Sequence, residues 1–165
     1  MVRPYVIIGT GAAGMAAAER IRLLKPDVPL MMLSLDEHSH SRCMLHKYLS
    51  NERDEKGLFF MPDGFFEDNN IMLGKGRAVK GINPDKHELI MEDGTQPYDK
   101  LLIATGSVFG IPPINNFRTA SNVFGFRDLS DAVKMDKAIR DLDAKNVFIV
   151  GSGLVGLDVA YALIE

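Results

Sequence analysis

The sequence contains one cysteine, and it has neither a cluster of basic residues nor a long apolar run. Cys43 alone cannot form a disulfide within the chain, and the cysteine pairs that dithiol chemistry requires are absent. The net charge of -3 leaves no excess of Lys and Arg to meet a phosphate backbone. Apolar stretches such as 30–33 and 101–104 are far shorter than the roughly 18 to 20 residues of a membrane-spanning helix. These absences predict no nucleic-acid partner and no membrane span.

The rest of the composition is ordinary. With 165 residues, 46% of them hydrophobic and 25% charged, the chain is long enough to bury a core of the α/β type. The N-terminus leads directly into a strand pattern, with no apolar signal segment ahead of it. A single cysteine agrees with a reducing compartment, and we therefore expect a cytoplasmic protein.

A strand, a glycine loop and a helix open the chain. Residues 5–8 are apolar and β-rich, residues 9–14 read Gly-Thr-Gly-Ala-Ala-Gly, and apolar residues then recur at helical spacing until Pro26. A second apolar strand is predicted over 30–35, ending at Asp36 and Glu37. The pattern predicts a βαβ unit.

The glycine loop has the spacing of a dinucleotide-binding turn. Gly9 permits a tight turn, Gly11 lets the backbone approach a pyrophosphate, and Gly14 allows close packing of helix on strand. Ala12 and Ala13 then offer backbone N–H groups at the helix N-terminus, where negative charge is favoured. The alternative is a tight turn without a ligand.

An acid that binds a ribose hydroxyl should follow this loop by about twenty residues. Asp36 lies 22 residues beyond Gly14 and is the first choice, with Glu37 as the alternative because strand ends are uncertain by about two to four residues.

The same pattern of strand, glycine loop and helix recurs about 142 residues later. A strand is predicted over 147–150, followed by Gly151, Gly153 and Gly156 and the start of a helix. Between the two loops, short strands separated by turn residues over 71–98 predict antiparallel hairpins. A strand over 101–104 and a helix with Asp128 as its N-cap follow. Two such loops in one chain are a stronger signal than either alone.

Together these features resemble the pyridine nucleotide-disulfide oxidoreductase superfamily, in the branch of NADH oxidases, ferredoxin and rubredoxin reductases and nitrite reductase large subunits. The resemblance covers the whole chain, and its most specific part is the Ala-Thr-Gly run at 104–106. It rests on the first loop, the segments 41–47, 98–106, 111–114 and 126–129, and the second loop with its helix start at 151–158.

The resemblance implies a Rossmann-like, doubly wound α/β FAD-binding domain with a small inserted antiparallel β-meander, followed by the start of a second Rossmann-like domain. We expect residues 1–114 to form the first segment of the FAD-binding domain, 115–145 a connecting segment with a helix, and 146–165 the start of a truncated NAD(P)-binding domain. The first loop would bind the ADP part of FAD, and the second would bind NAD(P)H.

The resemblance further implies an FAD-dependent oxidoreductase that passes a hydride from NAD(P)H to FAD, and then electrons to a small-molecule or redox-protein acceptor. It allows a homodimer of the intact protein, of which this chain would be an incomplete fragment. The alternative is a non-catalytic nucleotide-binding module or scaffold subunit on the same fold. An enzyme with a single NAD site would leave one glycine loop unexplained.

The resemblance also implies which residues contact the cofactors, because they occupy matching positions of the family pattern. Arg42 and Lys47 match a Tyr-x-Arg-Pro-x-Leu-x-Lys pattern, in which the Arg lies along the FAD and the Lys near the flavin ring. A cation there stabilises reduced flavin, which makes Lys47 the catalytic candidate. Arg127 matches an arginine that approaches FAD, and Asp158 an acid near the nicotinamide. The alternatives are solvated surface charges and, for Asp158, an ordinary first-turn acid. The cofactor-binding set is completed by Val79, Ala104, Thr105 and Gly106.

Two departures from the pattern stand close together. His40 replaces its tyrosine, and Cys43 replaces its proline. Cys43 is a second catalytic candidate because neighbouring Arg42 and Lys47 could activate its thiol, whereas the alternative is a small buried hydrophobe. The spacing of the four histidines fits no closed zinc pattern, so we predict no metal site.

Overall fold

The computed structural model of the chain describes residues 2–164. The chain divides into two compact units, Met1–Ser39 with Met61–Gly106 and His40–Phe60 with Ser107–Glu165. In chain order the elements are β1 (Tyr5–Ile8), α1 (Ala12–Leu24), β2 (Leu30–Leu33), α2 (Leu45–Leu49), α3 (Phe65–Asp68), β3 (Ile71–Gly74), β4 (Val79–Asn83), β5 (Glu88–Met91), β6 (Gly94–Pro97), β7 (Lys100–Ile103), α4 (Leu129–Asp141) and α5 (Leu154–Ile164).

The first unit contains a four-stranded parallel sheet in the order β3-β2-β1-β7. Tyr5 of β1 lies opposite Leu30 of β2 and Lys100 of β7, and Leu30 lies opposite Ile71 of β3. All four strands run in the same direction, so their carboxyl ends meet at one edge. This architecture confirms the predicted Rossmann-like α/β class.

Both faces of the parallel sheet are covered. One face packs against α1 through residues such as Ile7 and Met15, and the other packs against the antiparallel strands through residues such as Val6 and Leu89. All four of these side chains are buried. A strand buried on both faces has no polar side, which explains why β1 and β2 are continuous apolar runs.

The antiparallel strands form a three-stranded meander in the order β4-β5-β6. Glu88 of β5 pairs with Asn83 on one side and Pro97 on the other. Gly94 has φ +133°, a conformation that an L side chain rarely adopts, at the turn between β5 and β6. The predicted hairpins are confirmed.

Two strand predictions in this unit need correction. We expected β2 to run to residue 35, but it ends at Leu33, which pairs with Gly74 at the end of β3, and Leu35 is exposed. Strand β3 itself was not separated from the hairpin region in the sequence. Its place is set by parallel pairing with β2, a contact that local sequence does not reveal.

The second unit is built from helices. Helix α2 packs on both α4 and α5. Leu45 is buried with Ala132 of α4, and Leu49 is buried with Val159 of α5. Helix α4 begins after Asp128 as predicted. Among residues 2–164, no helix has both the length and the apolar character needed to cross a bilayer.

The predicted strand over 147–150 is wrong. Helix α5 follows the second glycine loop as expected, but residues 147–150 form no strand. A strand needs a neighbour to accept and donate its backbone hydrogen bonds, and within the described part of the chain this segment pairs with none. Its side chains are exposed, and Phe148 is 90% exposed.

Arg22, near the end of α1, joins two turns of the first unit through their backbone carbonyl groups. Its guanidinium donates hydrogen bonds to the carbonyl oxygens of Val28 at 2.7 Å, Asn69 at 2.5 Å and Asn70 at 2.6 Å. It therefore ties the entry of β2 to the entry of β3.

We expect Arg22→Gln to lower the free energy of unfolding by about 2 to 3 kcal/mol, because hydrogen bonds from a charged donor contribute more than neutral ones. The measurement is denaturant unfolding. Arg20→Gln is the matched control, since Arg20 is exposed on the same helix. Equal effects of the two substitutions would contradict this role of Arg22.

Candidate functional site

The first glycine loop, at 9–14, is closed by two contacts that only glycine permits. Gly9 has φ +110°, and a Cβ placed there would lie 2.8 Å from the carbonyl carbon of Ala104. A Cβ placed on Gly14 would overlap the carbonyl oxygen of Gly9. Helix α1 can therefore begin directly beside the end of β1, as the motif requires.

The N-terminus of α1 is open to an anion. Gly11 is its N-cap and offers no side-chain hydrogen bond, and the first turn of this fully described helix carries no acidic residue. The first backbone hydrogen bond of the helix runs from the N–H of Met15 to the carbonyl of Gly11 at 3.0 Å. The N–H groups of Ala12, Ala13 and Gly14 precede it, and such groups hold pyrophosphate at helix N-termini.

The predicted run 104–106 lies beside this loop. The N–H of Ala104 donates to the carbonyl of Ile8 at 2.8 Å, which places Ala104 at the carboxyl end of β1. Thr105 and Gly106 follow as exposed residues, and Gly106 turns the chain with φ +72°. The structure thus brings the two sequence segments to the same edge of the sheet.

Ser34 connects the loop to the predicted acid, and the sequence analysis missed it. Its Oγ accepts hydrogen bonds from the hydroxyl of Thr10 at 2.8 Å and from the N–H of Asp36 at 3.0 Å. Thr10 and Ser34 are both buried, Asp36 is half-buried, and Glu37 is exposed. Polar residues within two positions of the ends of two buried strands were the signal that could have identified this link.

The second glycine loop, at 151–156, has the local shape of the first. Gly151 has φ +113°, and a Cβ placed on Gly156 would overlap the carbonyl oxygen of Gly151. The same Cβ would lie 3.4 Å from Cγ2 of Ile149, and a Cβ on Gly14 would lie 3.4 Å from Cγ2 of Ile7. Helix α5 also has no acidic residue in its first turn. Gly153 lies in open space among the described residues.

The two arginines predicted to contact FAD, Arg42 and Arg127, have partners within the second unit. The Nε of Arg42 donates to Oδ1 of Asp128 at 2.7 Å, and the Nε of Arg127 donates to the carbonyl of Ser107 at 3.1 Å. Neither arginine is fully exposed. Both side chains therefore have hydrogen-bond partners within their own chain.

Lys47 forms an ion pair with both carboxylate oxygens of Glu52. Its Nζ lies 2.7 Å from Oε1 and 2.7 Å from Oε2 of Glu52. The hydroxyl of Ser50 also donates to Oε1 of Glu52 at 3.0 Å. Hydrogen bonds from Lys47 and then from Ser50 lower the pKa of the Glu52 carboxyl below its ordinary value of 4.5.

Cys43 is exposed, so the alternative that it is a small buried hydrophobe is wrong. The two cations expected to activate its thiol are engaged elsewhere, Arg42 with Asp128 and Lys47 with Glu52.

His40 has a structural role that sequence analysis missed. The side chain is buried, and its Nε2 accepts the N–H of Leu129, the first residue of α4, at 3.2 Å. The carboxylate of Asp131 accepts the N–H of Asp128 at 3.0 Å at the same helix end. In contrast to α1, the N-terminus of α4 therefore has side-chain partners, from Asp131 within the helix and from His40 outside it.

The two remaining predicted residues lie in different units. Val79 is the first residue of β4, pairs with Met91 and packs against the core under the meander. Asp158 lies in α5, and its carboxylate is 3.9 Å from Nδ1 of His46.

Comparison with known proteins identifies the family of this chain. The chain belongs to the pyridine nucleotide-disulphide oxidoreductase family, whose profile matches residues 3–165. This confirms the resemblance drawn from the glycine loops.

Individual relatives match this sequence along nearly its whole length. It is 31% identical over 163 residues to the NADH-dependent phenylglyoxylate dehydrogenase subunit epsilon of Aromatoleum evansii, covering 98% of this chain and 38% of that protein. It is 32% identical over 166 residues to the nitrite reductase (NAD(P)H) of Bacillus subtilis, covering 99% and 20%. The crystal structure of the covalent putidaredoxin reductase-putidaredoxin complex matches with a TM-score of 0.85 at 29% identity, covering 98% of this chain and 40% of that one. The chain thus spans two fifths or less of the length of these proteins.

The Lys47–Glu52 pair predicts a specific titration. A depressed carboxyl pKa means that the pair stabilises the fold above the ordinary pKa of 4.5 and loses this contribution as the pH falls through the depressed value. We expect the Glu52 carboxyl, followed by carbon-detected NMR, to titrate below 4.5 and to move upward in Lys47→Met. Lys137→Met is the matched control, because Lys137 pairs with Asp141 instead. An unchanged Glu52 titration in Lys47→Met would show that the pair does not form in solution.

Proposed function

We propose that this chain contributes an FAD site and the pyrophosphate loop of an NAD(P)H site to an FAD-dependent pyridine nucleotide oxidoreductase. The observation that carries this proposal is the presence of two glycine loops with the same local geometry in one chain. In each, the first glycine has a positive φ, and the last leaves no room for a Cβ beside the carbonyl oxygen of the first. A protein that binds one dinucleotide needs one such loop.

The first loop is the better match to the FAD site. Its helix N-terminus offers free N–H groups, and Ala104 to Gly106 lie beside it at the carboxyl edge of the parallel sheet. Ligands bind at this edge in open α/β sheets. Asp36, held at the same edge through Ser34, is the residue we assign to a ribose hydroxyl. Glu37 is exposed beside it and remains the alternative.

Further residues are assigned to the cofactor by their match to the family pattern. We assign Arg42 and Arg127 to contacts along the FAD and Lys47 to the flavin ring, as their match to the family pattern implies. Asp158 is assigned to the nicotinamide side, and Val79 to the FAD side. Bound FAD would supply the chemistry, accepting a hydride from NAD(P)H and returning electrons to an acceptor.

The relatives support this function. NADH is in the name of the Aromatoleum evansii subunit and NAD(P)H in that of the Bacillus subtilis reductase. Putidaredoxin reductase was solved with its protein partner, putidaredoxin. We propose a small-molecule or redox-protein acceptor for this protein too, together with a cytoplasmic location and a homodimeric assembly.

Matched glycine substitutions test the assignment of the two loops in the intact protein. Gly14→Ala places a Cβ against the carbonyl of Gly9, and Gly156→Ala does the same against Gly151. We expect Gly14→Ala to purify with at least tenfold less FAD, about 1.4 kcal/mol or more of binding energy. Gly156→Ala should keep its FAD but need roughly tenfold more NAD(P)H for half-maximal flavin reduction.

Gly110→Ala is the control, because a Cβ there meets no described atom within 4 Å. Circular dichroism of each variant separates lost binding from lost folding. Normal FAD content in a folded Gly14→Ala protein would remove the FAD assignment from the first loop.

A further inference from the structure

We propose that Thr10 is a binding residue of the first glycine loop, and that its hydroxyl donates a hydrogen bond to an oxygen of the ADP part of the bound dinucleotide. Ser34 is the positioning residue that holds this hydroxyl. The inference rests on the proposed function, which places FAD at this loop. The site residues predicted from sequence include Gly9 and Gly11 on either side of Thr10, but neither Thr10 nor Ser34.

The two hydroxyl groups meet where β1 and β2 end. Ile8 pairs with Leu33 as the last residues of the two strands, and the N–H of Gly9 donates to the carbonyl of Leu33 at 2.7 Å. Thr10 and Ser34 lie just beyond this pair, with their side-chain oxygens 2.8 Å apart. The contact is therefore at the carboxyl edge of the parallel sheet, where ligands bind in open α/β folds.

Ser34 is held through its backbone as well as its side chain. Its N–H donates to the carbonyl of Gly74 at 3.0 Å, and its carbonyl accepts the N–H of Arg77 at 3.1 Å. Its Oγ also accepts the N–H of Asp36 at 3.0 Å. Because the backbone on both sides of this short side chain is fixed, the position of the Ser34 hydroxyl beside Thr10 is fixed too.

The hydroxyl pair has one more hydrogen than its own contacts use. Each hydroxyl has one hydrogen to donate and two lone pairs that accept. One hydrogen joins Thr10 to Ser34, and the N–H of Asp36 occupies a lone pair of Ser34 without using a hydroxyl hydrogen. Among residues 2–164, neither side chain forms a further hydrogen bond. One O–H donor of the pair is therefore available to a ligand.

This donor can lie on Thr10, inside the glycine loop. The 2.8 Å contact can be bonded in either direction, because hydroxyl hydrogens rotate. When Ser34 donates to Thr10, the hydrogen bonds run from Asp36 through Ser34 to Thr10, and the hydrogen of Thr10 is available. Hydrogen bonds in such a chain strengthen one another.

Burial makes an acceptor for this hydrogen valuable. Thr10 and Ser34 are only 4% and 6% exposed, and a buried donor without an acceptor is costly. A dinucleotide brings phosphate oxygens to the N-terminus of α1 and ribose oxygens towards Asp36. Both kinds of oxygen accept hydrogen bonds, so the ADP part supplies the acceptor in either case.

The test is the affinity of the intact protein for FAD after its own flavin has been removed, measured by fluorescence titration. Thr10→Val removes the hydroxyl but keeps the shape of the side chain, and we expect about tenfold weaker binding. Thr10→Ala should give a similar loss, and Thr10→Ser should bind nearly as well as wild type. Thr95→Val is the matched control, because Thr95 is exposed in β6, and should leave the affinity unchanged.

A double-mutant cycle tests the role of Ser34. Ser34→Ala should weaken FAD binding, but by a smaller factor in the Thr10→Val background than alone, because part of its effect passes through Thr10. Ser34→Thr retains a hydroxyl and should restore part of the affinity. Independent losses that multiply in the double variant would overturn the positioning role.

ADP and 2′,3′-dideoxy-ADP, used as competitors of FAD, identify the acceptor oxygen. If Thr10→Val weakens both competitors equally, the acceptor is a phosphate oxygen, and if it weakens ADP alone, the acceptor is a ribose hydroxyl. Either result supports the inference. Undiminished FAD affinity in Thr10→Val and Thr10→Ala would overturn it. Wild-type protein that binds no FAD would instead refute the proposed function, so the two failures are distinguishable.

Discussion

The contact of Gly14 with the carbonyl of Gly9 is the constraint on which the first unit depends. It lets α1 start immediately after β1, so that the first N–H groups of the helix face the carboxyl edge of the sheet. The approach of Ala104 to Gly9 brings β7 to the same edge. A side chain at either glycine would separate the elements that meet at the proposed anion site. Because the same contact recurs at Gly156, the second loop resembles the first in local shape as well as in the spacing of its glycines.

In the second unit, the chain supplies carboxylates to two of the cations that we assign to the cofactor. Asp128 binds Arg42, and Glu52 binds Lys47. Fixed partners reduce the conformational freedom of long basic side chains, so less entropy is lost when a cofactor engages them. Binding of a cofactor by these cations would thus depend on acids outside the family pattern.

The sequence predicted features whose causes are local. The glycine loop, the start of α4 at Asp128 and the hairpin turn at Gly94 each depend on a few neighbouring residues. Features that depend on distant partners were missed or wrong. Strand β3 exists because β2 lies beside it, and Ser34 matters because Thr10 reaches it from 24 positions away. His40 was read as a departure from a pattern, and its bond to Leu129 emerges only when α4 is placed.

The most direct test of the central claim is an absorbance spectrum of the purified intact protein between about 300 and 550 nm, before and after anaerobic addition of NADH or NADPH. We expect flavin bands that bleach with one or both nicotinamides, because we assign a separate dinucleotide to each glycine loop. Bands that persist after both additions would contradict the oxidoreductase and favour a binding module. A spectrum without flavin would contradict the assignment of FAD to the first loop.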